Sequence, residues 1–141
     1  MSENRLLFSH VKLDDSLPGY TLPITTTRCI MSAIATKDYY PVHHDPDVAR
    51  NNGAPHIFIN TQTYQLLFTR LVGNWIYPEG RICKLNMRMK SMVAAGDTIS
   101  VGGKVTNIDP ELRQVECELW IKNQHNKMTT VGKALIELPS T

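Results

Sequence analysis

Cysteine is scarce in this 141-residue chain, long apolar runs are missing, and neither sign of charge dominates. Each shortage excludes something. Cys29, Cys83 and Cys117 are odd in number and far apart, which fits neither a disulfide framework nor a zinc site. Their apolar, strand-like surroundings predict three buried thiols. No apolar run approaches the ~20 residues that a membrane span needs. The N-terminus, MSENRLLFSHVKLDD, carries an early acid and only three consecutive apolar residues, too few for a signal-peptide core, so the expectation is a cytoplasmic protein without a membrane segment. A formal charge of +2, with Lys and Arg scattered along the chain, leaves no basic stripe for nucleic acid but stays compatible with an anionic small ligand.

What is present is ordinary for a single folded unit: 42% hydrophobic and 20% charged residues over a length that closes one core. We expect one domain over 1–141, with residues 1–12 weakly anchored. Residues 22–35, LPITTTRCIMSAIA, are rich in Thr, Ile and Leu and read as a strand whose start at Pro23 is confined to a sheet edge. In 59–76, Tyr64, Leu67, Phe68, Leu71, Val72 and Trp75 recur at three- and four-residue steps, which predicts the one long helix, with one buried face. From Arg81 the period becomes two. Leu85, Met87 and Met89 alternate with Asn86, Arg88 and Lys90, and 97–108 follows as a strand weakened or bulged at Gly102 and Gly103. DPEL at 109–112 turns the chain, Val115, Cys117, Leu119 and Ile121 form a buried face, and NQHN at 123–126 turns it into a last strand. One helix laid on an antiparallel sheet is an α+β layout, the sheet wrapped around the helix in the hotdog arrangement.

Between the first strand and the helix lies an excursion, TKDYYPVHHDPDVARNNGAPHIFIN, at 36–60. Asp45 before Pro46 starts a short helix, with the carboxylate as its cap, and Asn51, Asn52 and Gly53 end it. Asp38, His43 and His44 are left without a folding task. A carboxylate and an imidazole held together can divide proton transfers to and from one water, and Pro41 lets the chain double back to join Asp38 to His43. His44 points the other way in an extended chain, toward solvent or a supporting contact; His10, His56 and His125 need no function.

DYYPVHHDPDVA resembles the signature of the MaoC-like (R)-specific enoyl-CoA hydratases: Asp, any residue, Asn, Pro, aliphatic, His, any residue, Asp-Pro, and Ala soon after. Asp38, Pro41, Val42, His43, Asp45, Pro46 and Ala49 fall in register, with Tyr40 in the Asn position. Where the family has His-Gly at the helix entrance this chain reads HIFIN, so side chains stand where glycine leaves space. Together with ATKDYYPVHHDPDVA, IFIN and NWIYPEG, these departures are similar to the small catalytic subunit of the steroid side-chain enoyl-CoA hydratases, over about residues 20–138. The resemblance implies hydration of a 2-enoyl-CoA to an (R)-3-hydroxyacyl-CoA in breakdown of a bulky acyl group. It implies Asp38 and His43 as the water-activating pair, a backbone N–H at Ile59 or Asn60 for the thioester oxygen, and no metal or redox cofactor, coenzyme A being part of the substrate. The implied partner is a second MaoC-like chain, its own copy or a different one. Two other readings stay open: a hotdog acyl-CoA thioesterase, and a non-catalytic acyl-CoA-binding or assembly chain. Met87, Met89 and Met92 read as flexible core filler, or else as the wall of an acyl pocket. Arg81, Lys84, Arg88 and Lys90 are given no role.

Overall fold

A computed structural model describes residues 5–140 of the chain. Strand β1 (Tyr20–Pro23) leads into helix α1 (Thr26–Ala35). The excursion then holds a 3-10 turn at Pro41–His43 and the short α2 (Pro46–Asn51), and the long α3 (Thr61–Ile76) follows. The remaining strands are β2 (Arg81–Met89), β3 (Thr98–Asp109), β4 (Gln114–Lys122) and β5 (Met128–Glu137). All five strands join one antiparallel sheet in the order β1-β3-β4-β5-β2, so β1 and β2 are its edges. No described helix is long and apolar enough to cross a membrane.

The expected face of α3 is the buried one: Tyr64, Leu67, Phe68, Leu71, Val72 and Ile76 pack into the core, with Trp75 partly covered beside them. They meet Ile99, Val101 and Val105 of β3, Val115, Cys117, Leu119 and Ile121 of β4, and Ala134 and Ile136 of β5. Burying a side chain such as Phe68 stabilises the fold by roughly 1.5–3 kcal/mol. Gly132 makes that approach possible, since a Cβ there would lie 2.9 Å from the Phe68 ring.

Four expectations change. Residues 22–35 are not one strand: β1 stops at Pro23, and the Thr25 side chain accepts from the Arg28 N–H at 3.1 Å to cap α1. The β preference of Thr and Ile yields there to a cap and to the burial of Cys29 and Ala33 on one side of the helix. Gly102 and Gly103 stay in register opposite Trp120 and Leu119, and the β3 bulge falls later, between Val105 and Asn107. What Gly102 provides is room for the Trp120 indole, which a Cβ would meet at 2.8 Å. Cys83 is exposed, because the register of edge strand β2 slips between Ile82 and Lys84 and passes over it. Burial instead pushes the thiols of Cys29 and Cys117 up to about 11 and about 12. Lastly, residues 5–12 are tied down: the Phe8 N–H donates to the Pro139 carbonyl at 2.9 Å and Val11 is buried. Residues 1–4 of the stretch expected to be loose lie outside the described residues.

Candidate active site

The end of α1 aims Asp38. The Lys37 N–H donates to the Ile34 carbonyl at 3.1 Å and the Asp38 N–H to the Ala33 carbonyl at 2.9 Å, the paired bonds of a Schellman stop. Lys37 occupies its left-handed position at φ 56°, where glycine is usual. Pro41 then opens a single 3-10 turn, and the Asp45 carboxylate caps α2 through the N–H groups of Asp47 and Val48 at 3.0 and 3.2 Å. That brings His43 back over Asp38. The residue is 7% exposed, its ring edge-on to Phe58 with centroids 5.1 Å apart and to Tyr40 at 6.3 Å.

His43 Nδ1 lies 2.7 Å from the Phe58 carbonyl oxygen. A carbonyl only accepts, so Nδ1 carries the hydrogen, and in the neutral ring Nε2 is the bare acceptor. Nε2 stands 3.5 Å from Asp38 Oδ2. The structure thus brings together the two residues singled out from the sequence. His44 is set apart, exposed, with Nε2 donating to the Tyr39 carbonyl at 3.1 Å.

Asp38 has a further neighbour that the sequence reading did not foresee. Asn60 caps α3 through its side chain, accepting from the Thr63 N–H at 3.1 Å, and its amino group donates to Asp38 Oδ2 at 3.1 Å. The signal was available, because an Asn before a helical run is a cap, but capping alone does not reveal a second use for the amide. The two backbone candidates differ. The Ile59 N–H is already donated to the Val93 carbonyl at 3.1 Å, whereas no acceptor among the described residues takes up the Asn60 N–H.

Asp38, Tyr40, His43, Asn60 and Thr61 open onto a cavity of about 440 Å³ whose other walls include Val42, Phe58, Ile59 and Tyr64. Tyr64 is buried. Its hydroxyl accepts from the Val93 N–H at 2.8 Å, and burial pushes the phenol up to about 12, so it stays protonated at neutral pH. The opposite wall is the end of β2 and the residues after it: Met89, Lys90, Ser91 and Met92. Met89 and Met92 are 46% and 43% exposed, so they are pocket wall and not core filler, while Met87 packs partly buried against the core. Arg81 points away to Glu137 at 2.7 Å.

No family model matches the chain. Over 100 residues, which are 71% of this chain and 78% of the relative, it is 34% identical to the beta subunit of the 3-oxo-4,17-pregnadiene-20-carboxyl-CoA hydratase of Mycobacterium tuberculosis. Among solved structures, the ChsH1-ChsH2 complex from Mycobacterium tuberculosis contains a chain that superposes with a TM-score of 0.85 at 26% identity, covering 91% of this chain and 98% of that one. The fold also matches the unliganded R-hydratase PhaJ1 from Pseudomonas aeruginosa, with a TM-score of 0.89 at 20% identity over 97% of this chain and 88% of the other.

Proposed function

The chain belongs to the family of MaoC-like (R)-specific enoyl-CoA hydratases, and from that membership we propose that it adds water across the 2,3 double bond of an enoyl-CoA thioester to give the (R)-3-hydroxyacyl-CoA. One observation carries the reading: two proton acceptors, Asp38 Oδ2 and His43 Nε2, stand 3.5 Å apart on the wall of a largely apolar cavity. A water oxygen about 2.8 Å from each completes the triangle and donates one hydrogen to each. That leaves a lone pair for carbon 3 of the substrate. As the new C–O bond forms, Asp38 takes a proton from the water and the π electrons move through carbon 2 to the thioester oxygen. The proton that Asp38 took then returns to carbon 2, relayed by His43 Nε2 beside it, so the enolate collapses and both groups end as they began, a carboxylate and a neutral ring. Atoms and electrons balance with water alone, so the step calls for no redox or metal cofactor.

The developing enolate oxygen needs a donor. Of the two N–H groups singled out in the sequence, the one at Asn60, at the positive end of the 16-residue α3, is open for it, since the Ile59 N–H is spent on Val93. For the acyl group we take a bulky ring-bearing one, of the kind named for the pregnadiene-carboxyl-CoA hydratase relative. The adaptable thioethers of Met89 and Met92 along one wall support that choice. For the assembly we take a second hotdog chain, in keeping with the complex found for the similar structure and with the free outer edge of β2.

The test is product analysis. The purified chain, alone and with a MaoC-like partner chain, is incubated with steroid and straight-chain 2-enoyl-CoA esters. The expected product is an intact thioester that has gained one water. Release of free coenzyme A would make the protein a thioesterase, and no turnover of any ester by any assembly would make it a binding or assembly chain.

A further inference from the structure

The Asn60 side chain, in a residue only 3% exposed, has a use for every hydrogen-bonding valence of its carboxamide. Its Oδ1 accepts from the Thr63 N–H at 3.1 Å and from the Thr63 hydroxyl at 2.6 Å. A backbone N–H can meet only the oxygen, so these contacts decide which end of the amide is which. The amino group therefore faces the other way, donating to Thr36 Oγ1 at 2.6 Å and to Asp38 Oδ2 at 3.1 Å. Thr36 is itself held, since its hydroxyl donates to the Ser32 carbonyl at 2.7 Å and keeps its lone pairs for Asn60. One carboxamide thus ties the C-terminal end of α1, the first turn of α3 and the Asp38 carboxylate.

Other cap residues could not do this. Ser and Asp cap a helix about as well as Asn does, but Asp offers no donor and adds a charge, and a hydroxyl has a single hydrogen on a shorter arm. Resting on the reading of Asp38 as the base of the hydration, we infer that Asn60 and Thr36 are positioning residues for it. The Asn60 amino group keeps Oδ2 turned to His43 Nε2, and Thr36 keeps that amino group in place. The side chain acts through Asp38; the backbone N–H of Asn60 is a separate matter that substitution of the side chain leaves intact.

Three variants test the inference in the assembly that is active: Asn60→Asp, Asn60→Ser and Thr36→Val. Both Asn60 variants keep a capping oxygen for the Thr63 N–H, so α3 keeps its cap and both proteins fold. Asn60→Ser lowers kcat by about tenfold or more with KM little changed, because the loss falls on the reacting geometry and not on substrate binding. Asn60→Asp sets a carboxylate against Asp38. Among the titratable groups lining the cavity, Asp38, Tyr40, His43, Tyr64 and Lys90, Asp38 is the one Asn60 touches, so the acid limb of the pH–rate profile moves to higher pH. Thr36→Val, which leaves the cap untouched, lowers kcat in the same direction by a few-fold. Crystal structures of the variants give a readout without substrate: Asp38 swings from His43 in Asn60→Ser. If kcat and the pH profile of Asn60→Asp match the wild type, or Asp38 keeps its place in every variant, the inference falls even where hydration stands. If Asp38 moves but the wild-type assembly hydrates no enoyl-CoA, the positioning holds and the functional reading falls.

Discussion

At the residue scale the site is an argument about protons. The hydrogen on His43 Nδ1 is committed to the Phe58 carbonyl, which leaves Nε2 and Asp38 Oδ2 as two acceptors 3.5 Å apart with a water's two hydrogens to share. Groups that grip one water act as a unit. Asp38→Asn and His43→Ala should therefore each remove most of the hydration rate, and the double variant should be little slower than either. Steady-state rates for the four proteins check this, and independent, multiplying losses would show that the two residues do not share a water.

At the scale of elements, the loop is positioned from both sides by helix ends. The Schellman stop of α1 delivers Asp38, and the N-cap of α3 restrains it. Lys37 holds its left-handed conformation at φ 56° without being glycine. For an L-residue that conformation costs about 1–2 kcal/mol, and the added unfolded-chain entropy of a glycine offsets part of the relief. Lys37→Gly should thus stabilise the chain by roughly 0.5–1 kcal/mol in urea titration and keep hydration intact. A loss of stability would mean that the Lys37 side chain contributes more than its backbone costs. This same turn explains what the sequence concealed. Helix α3 was legible because Tyr64, Leu67, Phe68, Leu71 and Val72 repeat at the helical period, and β4 because Val115 to Ile121 alternate without a break. Helix α1 was not, because its Thr- and Ile-rich stretch favours a strand, a Lys stands where a terminal Gly would mark the stop, and its cap, Thr25, is one Thr among three. The pairing of Asp38 with His43 was legible as a motif. The amide bridge through Asn60 was not, since it joins residues 22 apart through a geometry that only the folded chain creates.

At the scale of the whole molecule, β2 is an edge strand with one side unpaired among the described residues, and its end at Met89 also walls the cavity. Such an edge invites a second chain. Light scattering at micromolar concentration should accordingly report a mass above that of one 15.9 kDa subunit. A monomer with full activity would contradict the assembly. Hydration of a bulky enoyl-CoA in this cavity with Asp38 as the base is tested by one comparison. Hydration of a steroid enoyl-CoA and of crotonyl-CoA is followed for the wild-type assembly and for Asp38→Asn, with melting curves of both proteins recorded alongside. Asn nearly matches Asp in shape, so the expected result is an unchanged melting temperature, a strong preference of the wild type for the steroid ester, and a rate lowered by about 10²-fold or more in the variant. Near-normal hydration by Asp38→Asn, or an unfolded variant, would instead make Asp38 a residue that shapes the loop and not the base.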